Sequence, residues 1–114
     1  MTNELEYVQL TDDNFTKEVL EYSGPVLVEF TRDSHAGHHI IAPMMQEVIR
    51  DYRGRIKVAI LDVDHAKDTA QHYRIREIPT VLFFRKGVVV AYLIGTFRKK
   101  ELKVRLQVLL EQGP

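Results

Sequence analysis

The chain predicts an α/β fold with a mixed central β-sheet and helices on both faces, in the order βαβαβαββα. Two observations carry this. Short runs rich in Val, Ile and Phe alternate with segments whose apolar residues recur at helical spacing, the pattern of strands joined by crossover helices. The last two runs, VLFF at 81–84 and VVVAYLI at 88–94, are separated by little more than Lys86-Gly87, which makes them an antiparallel hairpin.

Taken in order, YVQL at 7–10 alternates weakly and suits a short edge strand. Thr11, Asp12 and Asp13 offer N-cap side chains for a helix carrying Phe15, Val19 and Leu20, and Ser23-Gly24-Pro25 stops it. VLVEF at 26–30 is apolar on both faces except at Glu29, as expected of a strand inside a sheet. A polar loop at 31–34 leads to a helix over about 35–52. Its rows Ile40, Met44, Val48, Tyr52 and Ile41, Met45, Ile49 form a broad buried stripe, and the Met pair needs no cofactor to explain it. Pro43 lies within the stripe and is expected to kink the helix without ending it.

Gly54 closes that helix, and IKVAILDV at 56–63 is a second buried strand. Asp64 is placed to cap a shorter helix through about His72. His65 and His72, seven apart on it, read as surface or partly buried residues. After the hairpin, Gly95 marks a bulge or a point of close backbone approach. The last helix, over about 98–111, buries Leu102, Leu106, Leu109 and Leu110, while Val104 and Val108 fall on its opposite face. That valine pair allows for a weak dimer contact, so the expected state is a monomer or weak dimer.

The 114 residues fit one domain over 1–114, and 45% hydrophobic and 28% charged residues are ordinary for a globular protein. The cysteine count of zero decides more: no thiolate nucleophile, disulfide exchange or thiolate metal ligand can come from this chain. Net charge is zero, with acids in excess over residues 1–37 and bases in excess beyond. No basic balance or motif points to nucleic acid. The N-terminus lacks the features of a signal peptide and no apolar run is long enough to span a bilayer, so a cytoplasmic location without membrane partners is expected.

The order of elements and three local features resemble the thioredoxin family over nearly the whole chain. The run at 26–43, VLVEFTRDSHAGHHIIAP, is similar to the family's strand, its Trp-Cys-Gly-Pro-Cys-Lys motif and the Ala-Pro beyond it. On that pattern Ser34, His35, Ala36, Gly37, His38 and His39 occupy the motif, with histidine at both cysteine positions. Ile78-Pro79-Thr80 resembles the family's cis-proline signature, Lys86-Gly87 its hairpin turn, and Gly95 the glycine that admits a partner's backbone. The resemblance implies a thioredoxin fold, a cis Ile78–Pro79 bond, and a groove beside the motif that takes an extended peptide. It also makes Glu29 the family's buried acid, beneath His38. Ser34 and Thr31 stand where the family has aromatics, Ile60 where it often has a lysine, and Arg74 and Glu77 where small residues are usual.

Three chemistries are open to the motif-equivalent segment. His35, His38 and His39 at i, i+3 and i+4 share a face if the helix starts by His35, and imidazoles so spaced can chelate Zn²⁺, Ni²⁺ or Cu²⁺; a third ligand from Glu29, Asp33 or a second chain is then required. A Glu29–His38 pair could act in acid–base chemistry, the helix N-terminus disfavouring and the carboxylate favouring the imidazolium. No nucleophile or oxyanion hole accompanies it. The reading favoured here is non-covalent: imidazoles present donors and acceptors, and the backbone around Pro79 can pair with an extended peptide. By analogy with thioredoxin-fold proteins that lack a CxxC pair, the expectation is a redox-inactive adaptor or chaperone-like module, such as a hydrogenase-assembly accessory protein, with a protein or peptide partner and no cofactor.

Overall fold

A computed structural model of the chain describes the backbone of residues 7–32 and 36–111, and side chains over the same residues except 36–42. The strands are β1 (Val8–Leu10), β2 (Pro25–Thr31), β3 (Lys57–Asp62), β4 (Thr80–Arg85) and β5 (Val88–Ile94). The α-helices are α1 (Ala36–Asp51), α2 (Lys67–His72) and α3 (Lys99–Glu111), and a π-helical segment spans Thr16–Leu20. The strands form one sheet in the order β1-β3-β2-β4-β5. β1 and β2 run parallel to β3, whereas β4 is antiparallel to both β2 and β5. The fold is the mixed-sheet thioredoxin fold expected.

Alternation along β2 divides the core in two. Val26, Val28 and Phe30 pack with Phe15, Val19, Ala66, Ala70 and Phe84 on the face covered by the π-helical segment and α2. Leu27 packs on the other face with Met45, Val48 and Ile49 of α1 and Leu102, Leu106 and Leu109 of α3. Every residue of β2 after Pro25 is buried, so the strand has no solvent side. It also extends to Thr31, a residue whose polarity suggests the loop instead. α1 runs through Pro43 without interruption, the absent N–H costing one hydrogen bond that continuous packing of the apolar stripe outweighs.

Two cap assignments change. Thr11 and Asn14 close a reciprocal box, the Asn14 N–H donating to Thr11 Oγ1 at 3.1 Å and the Thr11 N–H to Asn14 Oδ1 at 2.8 Å. The segment after this box is not a regular α-helix, for the Glu21 N–H reaches back five residues to the Thr16 carbonyl at 2.9 Å. Asp12 does not cap it. Its carboxylate accepts instead from the N–H groups of Thr69 (2.8 Å) and Asp68 (3.2 Å) and from Thr69 Oγ1 (2.7 Å), capping α2 from a distant part of the chain.

Asp64 does not cap α2 either. The turn before that helix is folded by Asp62, whose Oδ1 accepts from the Asp64 N–H at 2.8 Å. Asp64 points outward to Arg32. Lys57, at the start of β3, ties the π-helical segment to the sheet. Its Nζ donates to the Glu18 carbonyl (2.8 Å) and carboxylate (2.7 Å) and lies 4.3 Å from the centre of the Tyr22 ring. The bulge in the hairpin lies opposite Phe83 and Phe84, not at Gly95. Among the described residues no helix is long and apolar enough to cross a membrane. Val104 and Val108 are exposed on α3, and His65 and His72 are exposed at either end of the α2 region.

Donation from Thr69 and Asp68 holds the Asp12 carboxyl below its ordinary value of 3.8. A depressed carboxyl stabilises the fold above its unfolded pKa and ceases to do so as pH falls through the folded one. Asp12→Ala is therefore expected to lower the melting temperature at pH 7, with the gap to the parent closing below about pH 3.8. Thermal denaturation by circular dichroism at several pH values checks this.

Candidate functional site

Register brings the end of β2, the Pro79 loop and Gly95 to one end of the sheet. Phe30 of β2 lies opposite Thr80 of β4, and Thr80 opposite Ile94 of β5. The end of β2 at Thr31, the Pro79 loop entering β4, and Gly95 leaving β5 therefore lie at the same end of the sheet. Asp62 of β3 ends beside Thr31, so the Arg32–Asp64 ion pair, 2.8 Å long and exposed, borders that end as well. Hydrogen bonding to Arg32 holds the Asp64 carboxyl below its usual range.

The loop entering β4 is anchored from below. Tyr73 packs edge-on against Phe84 at 5.5 Å between ring centres and tilted against Phe15 at 5.6 Å, with Phe30 at 6.3 Å. This burial pushes the Tyr73 phenol pKa up. Arg74 comes next in a left-handed conformation at φ 55°, which turns the chain upward from α2. Thr80 Oγ1 then donates to the Glu77 carbonyl at 2.7 Å, and the Ile78–Pro79 peptide bond is cis, as the resemblance implies.

Gly95 completes the loop's fastening. Its N–H donates to the Pro79 carbonyl at 2.7 Å, and its φ of 78° is one that side chains rarely adopt. A Cβ placed there would meet no atom within 4 Å, so the space beside it is open. Pro79 itself is buried and Ile78 half-buried, while Glu77 is exposed. Of the backbone around Pro79 expected to be exposed, the accessible part is residues 77 and 78, because the proline ring is turned into the structure.

Glu29 is fully buried in the middle of β2, level with Ile60 on β3 and Val81 on β4. Ile60, half-buried, thus stands where a lysine could have approached this acid. Ala36, Gly37, His38 and His39 lie in the first turn of α1. Ser34 and His35 lie outside the described residues, as do the side chains of His38 and His39, so the three-histidine cluster has no described geometry. Among the described residues no group of three or more His, Asp or Glu side chains could hold a metal.

A thioredoxin family model matches residues 6–108. The chain belongs to the thioredoxin family. It is 40% identical over 95 residues to the thioredoxin of Pseudomonas aeruginosa, spanning 83% of this chain and 88% of that protein. It is also 40% identical over 95 residues to thioredoxin C-2 of Corynebacterium nephridii, with the same coverage of each. The thioredoxin of Thiocapsa roseopersicina is 43% identical over 84 residues, or 74% of this chain and 92% of that protein. Unlike the family pattern, this chain contains no cysteine, so it cannot perform dithiol–disulfide exchange with thiols of its own.

Sequence reasoning locates Glu29, Pro79 and Gly95 but misses their fastenings. The Tyr73 ring cluster joins residues from four separate parts of the chain, and spacing along one chain does not show such contacts. Thr80→Val tests the loop's internal tie. Removing this partly buried hydrogen bond is expected to cost about 1 kcal/mol in urea denaturation. Amide exchange at residues 77, 78 and 80 should accelerate by more than in β3.

Proposed function

We propose that this thioredoxin-family chain binds a protein or extended peptide without covalent chemistry, at the face formed by residues 34–39, Ile78, Pro79 and Gly95. The observation that carries the reading is the fastened cis-proline loop. Its carbonyl is tied to Gly95 at 2.7 Å, with open space beside that glycine, in a chain that has no thiol. Such a loop offers backbone of fixed direction to an extended segment. Ile78 supplies apolar contact, Glu77 sets charge, and the imidazoles at 35, 38 and 39 supply donors and acceptors. On this reading the chain is an adaptor or chaperone-like module of the cytoplasm, not an enzyme.

Titration of ¹⁵N-labelled protein with an unfolded, carboxymethylated polypeptide tests the proposal. Resonances of residues 36–39, 77, 78 and 95 are expected to shift together, and Gly95→Arg, which fills the open space, should weaken binding about tenfold or more. Shifts confined to other surfaces would refute it. Zn²⁺ and Ni²⁺ titrations of tag-free protein discriminate the histidine metal site. Saturable micromolar binding abolished by His35→Ala, His38→Ala would assign the terminus to a metal instead.

A further inference from the structure

Among the described residues β5 is the last strand on its side of the sheet and pairs only with β4. The Gly95 N–H bond to Pro79 fixes which of its backbone groups are used. Residues 79 and 95 form a hydrogen-bonded pair, and by the period of two so do Val81 and Leu93. Tyr92 and Ile94, opposite Leu82 and Thr80, are the non-hydrogen-bonded positions, so their N–H and C=O groups point away from β4 to the open edge. The Tyr92 carbonyl accordingly accepts from Arg105 Nε of α3, at 3.4 Å.

The same two residues are large, apolar and exposed, Tyr92 by 58% and Ile94 by 55%. They wall a groove of about 360 Å³ on the α2 face, floored by Ile75 and Leu82. Arg74 and Arg76 stand on its rim with Glu77. Among the described residues neither arginine has an ion-pair partner. Arg105 on the α3 side contacts a carbonyl, not a carboxylate. Even with Glu77 counted, the surroundings of this edge are net positive, while β5 itself carries no charge.

We propose that β5 accepts an acidic, extended peptide by strand addition, at a site that adjoins the face assigned above and shares Glu77 with it. The peptide backbone pairs with the outward groups of Tyr92 and Ile94. Because side chains alternate, those of one parity lie over the groove and those of the other face α3. Apolar side chains fill the groove against Tyr92 and Ile94, and a carboxylate beside them meets Arg74 and Arg76. A carboxylate of the opposite parity takes Arg105 from the Tyr92 carbonyl, freeing that acceptor for the peptide N–H.

The probe is a fluorescein-labelled peptide of sequence Glu-Val-Glu-Tyr-Glu-Glu-Glu-Val, which carries acid at both parities, with a counterpart carrying Lys for every Glu. The acidic peptide is expected to bind and the lysine peptide to bind at least about tenfold more weakly, since like charge at the edge opposes docking. Arg105→Glu, and separately Arg74→Glu with Arg76→Glu, should each weaken the acidic peptide by about tenfold, with circular dichroism unchanged. In ¹⁵N spectra the Tyr92 and Ile94 amides should shift. Equal binding of both peptides overturns the proposal, as does absence of binding. Shifts at residues 36–39, 77 and 78 without β5 overturn it while leaving the first binding face standing. Sedimentation showing a dimer that pairs β5 with β5 and excludes the peptide would assign the edge to a second copy instead.

Discussion

β2 is hydrogen-bonded along both edges and packed on both faces, and the rest of the structure is arranged around that constraint. Its parallel register with β3 and antiparallel register with β4 are set by side-chain parity: Val26, Val28 and Phe30 must meet the α2 face, Leu27 the α1 and α3 face. A slip of one residue would exchange the two sets and bring Glu29 into the cluster of Phe15, Phe84 and Tyr73. The register therefore fixes the chemistry at the strand's end. It puts Thr80 beside Phe30, and hence Pro79 next to the end of β2.

The site is held by contacts that do not depend on the residues of the redox motif. Tyr73 is wedged among three phenylalanines, Thr80 closes the loop on itself, and Gly95 anchors the Pro79 carbonyl. None of these involves residues 34–39. A chain without cysteine thus lacks the covalent step of its own thiols and, on the proposed reading, keeps the loop that would position a partner. On that reading, retention of a partner must come from shape, backbone pairing and charge alone. Arg74, Arg76 and Glu77 around this loop supply charge of both signs, a route to discrimination between partners.

Much of this is legible in the sequence because the signals are local. A buried strand shows as a continuous apolar run, and β2, β3, β4 and β5 fall within one or two residues of their expected bounds. The stripe through Met44, Met45, Val48 and Ile49 rightly outweighs Pro43, and family resemblance alone points to the cis bond at Ile78-Pro79-Thr80. Where the reading fails, the deciding partner is remote. Asp12 sits where an N-cap belongs, yet its acceptors serve Asp68 and Thr69, more than fifty positions away. Asp64 looks like a cap because a helix lies just beyond it, but Asp62 closes the turn first and Arg32 claims the outward carboxylate. Lys57, in sequence merely part of a strand, is the residue that joins Glu18 to the sheet.

The two edges of the sheet show how charge governs the surface that remains. β1 is three residues long, and Gln9 folds its amide onto the Ile60 carbonyl, so it offers little to a foreign strand. β5 has seven residues, none charged, and would be open to pairing along its length. The protection comes from outside the strand: Arg105 reaches from α3 to the Tyr92 carbonyl, in the manner of the charged residues that commonly blunt sheet edges. A guanidinium used this way is a conditional guard. An apolar or basic strand must expel it without giving it a new acceptor, leaving an unsatisfied cation at the interface. An acidic strand supplies that acceptor as it docks. The device that limits indiscriminate pairing of β5 is thereby also a filter for the charge of whatever pairs with it.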